Sequence, residues 1–284
     1  MHRAPLTVLL AVLLGVAGLA VSACGPATAT APGPTGDPGR QRVLFAFADP
    51  RITESSGLAV SLRHDGVVYT HNDSGDAARF FAVDRHGRTV ATYTLRGVKA
   101  RDVEAIAVGP DERGRPSVFL ADIGDNGAAR SGVVVYRVAE PAVLADATLE
   151  ATRFPLRYAD GPRNAEALLV HSRTGRLLVV SKEAVGGVYE APATLRPGAT
   201  VTLRRIADAP AMVTDGAYSP DGSRLVLRGY RSATVYRAPG SPIGEAGVPV
   251  QPQGESVAFT SDGRALLFGS EGRGSEVWQA PLTG

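Results

Sequence analysis

An all-β fold is predicted by three features of the 284-residue sequence. First, sustained helical periodicity is missing after residue 40, and short apolar runs alternate with Asp-Gly, Ser-Gly and Pro-Gly turns. Second, 33 glycines and 20 prolines are too many for a helical bundle and too few for a wholly disordered chain. Third, the stretch 42–284 repeats. An aromatic residue in an apolar frame recurs in Phe80-Phe81-Ala82-Val83, Val135-Tyr136-Arg137-Val138, Val188-Tyr189-Glu190-Ala191, Val235-Tyr236-Arg237-Ala238 and Val277-Trp278-Gln279-Ala280. Aligned on Phe81, Tyr136, Tyr189, Tyr236 and Trp278, the spacings are 55, 53, 47 and 42 residues.

Each repeat opens on a strand with small residues at its start, as in Gly57-Leu58-Ala59-Val60, Ala105-Ile106-Ala107-Val108 and Ala167-Leu168-Leu169-Val170. A turn follows, then a second apolar run such as Val67-Val68-Tyr69, Leu177-Leu178-Val179 or Leu266-Leu267-Phe268, then the aromatic strand. Fourth strands are weaker: Val90–Leu95, Thr152–Arg157, Thr200–Arg205 and Val248–Gln251. Four-stranded units at this period are the signature of a β-propeller, whose innermost strands crowd the central axis and favour small residues. Five blades are expected, with six as the alternative if the long Tyr136–Tyr189 interval hides another. Val43–Phe47 remains over at the N-terminal end and completes the fifth blade, closing the ring and removing its open edges. The turns Tyr218-Ser219-Pro220-Asp221-Gly222 and Phe259-Thr260-Ser261-Asp262-Gly263 resemble those of TolB and WD40-like repeats, a likeness that supports fold and not function.

The first residues read as an address. His2 and Arg3 precede an uncharged run from Leu6 to Val21, long enough for a signal-peptide core and short for a membrane span. The run ends in Val21-Ser22-Ala23, directly before Cys24, the only cysteine of the chain. This resembles the lipobox of bacterial lipoproteins, which implies cleavage after residue 23, acylation of Cys24 and a membrane-anchored, extracytoplasmic protein. Residues 24–41, rich in Gly, Pro, Ala and Thr, are expected to be a disordered tether, because they carry no large apolar side chain to offset ordering entropy. The single cysteine excludes an internal disulfide and a cysteine-ligated zinc site. With 30 Lys+Arg against 28 Asp+Glu interspersed, a nucleic-acid surface is not expected.

Up-and-down topology sorts the polar residues onto two faces. Turns between first and second strands carry ordinary hairpin chemistry and no evident site. The other face is expected to gather the start of each inner strand and the end of each second strand around the channel mouth. It carries Glu54, Arg101, Asp102, Glu104, Glu166, Asp215 and Glu255 from the first set, and His71, Asn72, Asp73, Asp76, Asp122, Asp125, Asn126, Lys182, Glu183, Arg228, Tyr230 and Glu271 from the second. Such a ring of carboxylates needs cations, donors or raised pKa values to offset its repulsion. Glu104, Asp122, Glu166, Asp215 and Glu255 are the expected ligands of a hard cation such as Ca²⁺, which takes six to eight oxygens. The remaining residues are expected to contact a ligand, although Lys182, Arg101 and Arg228 could neutralise the ring without metal.

No Gly-x-Ser-x-Gly elbow, P-loop or His-Glu-x-x-His helix is present. The first functional expectation is therefore a membrane-tethered propeller that binds an extracytoplasmic ligand or protein at its polar mouth. The second is a cation-dependent hydrolase of a small phosphorylated or lactone substrate. In that version the mouth resembles phytase-like and gluconolactonase-like propellers, which implies carboxylates holding the cation, water as nucleophile, and Lys182 and Arg228 on an anionic substrate.

Overall fold

The computed structural model describes residues 41–73 and 75–282. The leader, Cys24 and residues 25–40 of the expected tether lie outside them. All described secondary structure is β, in 21 strands. β1 (Arg42–Ala46) is followed by a first antiparallel unit, β2 (Ser55–Val60), β3 (Val68–Asn72), β4 (Arg79–Val83) and β5 (Thr89–Leu95). The second unit is β6 (Val103–Pro110), β7 (Pro116–Asp122), β8 (Val133–Ala139) and β10 (Thr152–Tyr158), with the short β9 (Ala147–Leu149) running parallel to β5 on the way. The third is β11 (Ala165–Val170), β12 (Leu177–Ser181), β13 (Gly186–Glu190) and β14 (Val201–Ala209). Three parallel residue pairs between β10 and β14 join the second and third units into one eight-stranded sheet. The fourth is β15 (Val213–Tyr218), β16 (Leu225–Gly229), β17 (Ala233–Ala238) and β18 (Ser241–Ala246). The last is β19 (Gly254–Phe259), β20 (Ala265–Ser270) and β21 (Glu276–Pro281), with β1 antiparallel to β21.

The opening strands of the units pack on one another in sequence, β2 on β6, β6 on β11, β11 on β15, β15 on β19 and β19 on β2. This is a propeller-like arrangement, and the core follows from it. Apolar side chains on the two faces of each unit meet those of its neighbours, so five separate clusters fill the gaps between units. The recurring aromatics belong to these gaps: Phe80 stands edge-on to Tyr69 at 5.5 Å, and Tyr189 edge-on to Tyr158 at 4.9 Å. Crowding near the axis explains the small residues. A Cβ on Gly57 would lie 2.9 Å from the Ile106 amide nitrogen of the next unit.

One strand differs from expectation. The fourth strand of the fourth unit is Ser241–Ala246, not Val248–Gln251. Gly240, with φ of 75°, turns β17 back so that Ala238 faces Ser241. Pro242 inside that strand disguises it in the sequence, and is tolerated because β18 is an edge.

Candidate functional site

Every opening strand is bulged where it begins. The register against the second strand slips between Ser55 and Gly57, Val103 and Ala105, Ala165 and Ala167, Val213 and Asp215, and Gly254 and Val257. A β-bulge inserts one unpaired residue and re-aims its side chain. Aligned on this slip, Glu104, Glu166 and Glu255 share one position, with Ser56 and Thr214 as their counterparts. Asp215 sits one residue further in, beside Ser256, while Glu54 and Asp102 precede the bulge by two residues, beside Asn164, Met212 and Gln253. The carboxylates expected as one ring therefore occupy three levels.

Their surroundings separate them into two kinds. Asp122 is fully engaged: it accepts the amides of Arg101 and Asp102 at 3.2 and 3.1 Å and the Arg130 guanidinium at 2.8 Å. Asn72 holds the equivalent loop of the first unit, accepting the amides of Thr53 and Glu54. Asp125 caps its own loop through the amides of Ala129 and Arg130, and Asp76 pairs with Arg79 and Asn72. Asp215, fully buried, accepts the amides of Gly216 at 2.7 Å and of Val257 in the neighbouring unit at 2.8 Å. Asp122 and Asp215 are thus withdrawn from the expected cation set. Arg228 is withdrawn from the expected substrate contacts. It is fully buried, donates to the carbonyls of Ser256 and Gly269 and to Gln251, and lies over Phe268. Burial lowers its pKa to about 10, with Asp215 and Glu255 opposing that fall.

The other kind is crowded. Asp73, Asp102 and Glu104 each place a carboxylate oxygen within 4.8 Å of the others. Glu104 is only 3% exposed, and its carboxylate receives no hydrogen bond among the described residues. Burial, then Glu166, Asp73 and Asp102, push its carboxyl far above the ordinary range. Burial also raises Asp102, with Asp73 adding to it. Gly124 makes room for this group, since a Cβ there would overlap Asp102 Oδ2 and Glu104 Oε1. Asp73, Asp102 and Glu104 could together offer three oxygen ligands to a hard divalent cation.

Across the mouth Lys182 compensates Glu166. Lys182 Nζ lies 3.0 Å from Glu166 Oε1 and 5.0 Å from the centre of the Tyr230 ring. Burial opposes its charge, but Glu166, Tyr230 and Glu255 hold the ammonium above its ordinary pKa. Glu255 is pushed up to about 7 by burial against the pull of Lys182, and its Oε2 is buried without a partner among the described residues. Gln253 reaches Glu255 at 3.3 Å and Glu271 at 2.6 Å, and Asn164 bridges Asn126 and Glu166. Glu183 pairs with Arg163 and accepts the Ser181 hydroxyl. Glu54 and Arg101 stand exposed on the rim. His71 is buried with Nδ1 2.8 Å from the Asn72 carbonyl, and burial lowers its pKa to about 4, so its ring is neutral. Asn164, Gln253, Gly124 and Arg130 escaped the sequence reading. The first two become visible once the repeats are aligned two residues before the bulge.

No protein-family model and no curated protein sequence matches the chain. Among solved structures it is similar to XC5397 of Xanthomonas campestris, described as a gluconolactonase important in glucose secondary metabolic pathways. The TM-score is 0.51 at 14% identity, over 93% of this chain and 99% of that one. It is also similar to U3-55K, with a TM-score of 0.43 at 14% identity, over 80% of this chain and 68% of that one. At such identity the likeness to XC5397 is one of fold, that of an all-β, propeller-like chain.

Proposed function

We propose that this chain is an extracytoplasmic lipoprotein, anchored to a membrane through Cys24, whose β-propeller holds a divalent cation at its channel mouth and binds a small ligand or a partner protein there. Calcium is the cation of choice, because the donors are all carboxylate oxygens. The observation that carries this reading is the Glu104 carboxylate, buried without a donor among the described residues beside Asp73 and Asp102. Asp73, Asp102 and Glu104 hold the cation, and Glu166, Glu255, Lys182 and Tyr230 face the ligand. The propeller has five blades, and β1 completes the fifth. Five opening strands in a closed round and the β1–β21 ladder support this count, and β9 and β10 account for the long Tyr136–Tyr189 interval.

A second reading, a cation-dependent hydrolase of a small lactone or phosphoester, is favoured by Glu255, whose proton comes and goes near neutral pH. The fold likeness to a protein described as a gluconolactonase points the same way. A cation bound here supplies Lewis-acid polarisation of a carbonyl or phosphoryl oxygen. Glu255 then holds or releases a proton within reach of Lys182, and Lys182 offsets negative charge on the substrate.

Thermal unfolding of the full chain with Ca²⁺ and with a chelator tests the shared core of both readings. A cation that binds only the folded state adds about 2.7 kcal/mol at a hundredfold excess over its Kd. The expected result is a rise in Tm that vanishes in Glu104→Gln. An unchanged Tm across Ca²⁺, Mg²⁺ and Mn²⁺ would remove the cation. Turnover of δ-gluconolactone or a phosphoester by the loaded protein then separates enzyme from binder.

A further inference from the structure

A cavity lined by the far ends of the opening strands lies at the opposite end of the channel. It has a volume of about 330 Å³ and is open to solvent. All five opening strands line it, through residues such as Val60, Val108, Val170, Tyr218 and Phe259, and no charged residue does. This composition and size are those of a small-molecule site.

The backbone gives the cavity a second property. Ser61, Asp111, His171, Ser219 and Thr260 donate their amides to the second strand of their own unit, at 2.9–3.0 Å. Antiparallel pairing alternates, so the N–H and C=O of the preceding residue turn away from that strand. In Val60, Val170, Tyr218 and Phe259 they turn into the channel, where no strand pairs with them. Val108, three residues before Asp111, has the same phase. These five residues therefore present a ring of backbone amides to the cavity. Two residues nearer the mouth, the same phase produces an identical ring at Leu58, Ile106, Leu168, Gly216 and Val257. That upper ring already holds a carboxylate: Asp215 accepts from Gly216 and Val257 and lies against the amide of Leu58. Oriented backbone amides converging in this way bind anions. On the turns around the opening, Arg63 and Arg173 stand exposed without ion pairs among the described residues, and the Arg224 guanidinium lies 5.8 Å from the Phe259 ring centre.

We propose that this end of the channel is a second binding site, for a small organic monocarboxylate with an apolar body. Its oxygens take the lower ring of amides as Asp215 takes the upper one, and its body rests against Val60, Val170, Tyr218 and Phe259. The site is independent of the cation at the mouth. Amide ¹H–¹⁵N spectra of the full chain titrated with benzoate test it, with benzamide as the uncharged isostere. Benzoate should shift the Val60, Val108, Val170, Tyr218 and Phe259 amides saturably, with benzamide at least about tenfold weaker, since hydrogen bonds to a charged acceptor are the stronger ones. The Glu104-dependent rise in Tm with Ca²⁺ should be unchanged by saturating benzoate. Equal affinity for benzamide, shifts confined to the arginine turns or the mouth, or no saturable shift with benzoate, hexanoate or 2-naphthoate would overturn the proposal.

Discussion

Asp215 and Glu104 are both buried acids at the start of an opening strand, one residue apart in register, and their surroundings are opposite. Asp215 is clothed by backbone amides of two units and faces a buried arginine's charge. Among the described residues the charged neighbours that raise Glu104 are all carboxylates, and Lys182 opposes them. Burial alone therefore says little about role. A carboxylate whose oxygens are satisfied by the fold stabilises the fold, and one left bare costs stability until something arrives to compensate it.

The largest expected effect tests the clothed acid. Asp215→Ala strands the Gly216 and Val257 amides and removes a counter-charge of Arg228, so stability should fall by about 4 kcal/mol in urea unfolding. A loss no larger than that of a surface substitution would erase the distinction between the two acids. Next comes pH. The folded-state pKa of Glu255 is raised from 4.5 to about 7. The folded protein thus binds this proton more tightly than the unfolded chain, so the stability contributed by Glu255 is fully present below 4.5 and is lost as pH rises through 7. The loss should be about 3 kcal/mol, and Glu255→Gln should flatten it. Unfolding curves of both proteins across this window decide the matter.

A smaller effect sharpens the bare side. Gly124→Ala places a methyl against Asp102 and Glu104, so the Ca²⁺-induced rise in Tm should shrink by most of its size while stability without cation changes by about 1 kcal/mol. Isothermal titration with Ca²⁺ reads the affinity directly. Smallest of all, Arg88→Ala breaks an ion pair whose arginine is 68% exposed, far from either acid, and should cost no more than ~0.5 kcal/mol.

The strand plan was largely legible because propeller-like units repeat their aromatic and their turn. Val90–Leu95 and Thr152–Arg157 fall within observed strands, and Thr200–Arg205 overlaps β14 from Val201 onward. β18 was not, because an edge strand tolerates proline and glycine. The residues of the mouth were legible from topology, but their partners were not. Nothing in the local sequence says that Arg130 reaches back to Asp122, or that Arg228 turns inward to the carbonyls of the next unit. The cavity was hidden for a related reason. Its polar groups are main-chain amides, which every residue has, and only the register of the ladders shows which of them face the channel.

The pairing of β1 with β21 also has a mechanical consequence. Arg42 lies opposite Gln279, so the two ends of the described chain meet in a single ladder. A pull applied through Arg42 loads these few hydrogen bonds before any other part of the fold. β1 is then the fuse of the structure: it should detach at the lowest force, leaving the remaining units to resist as a second, stronger element.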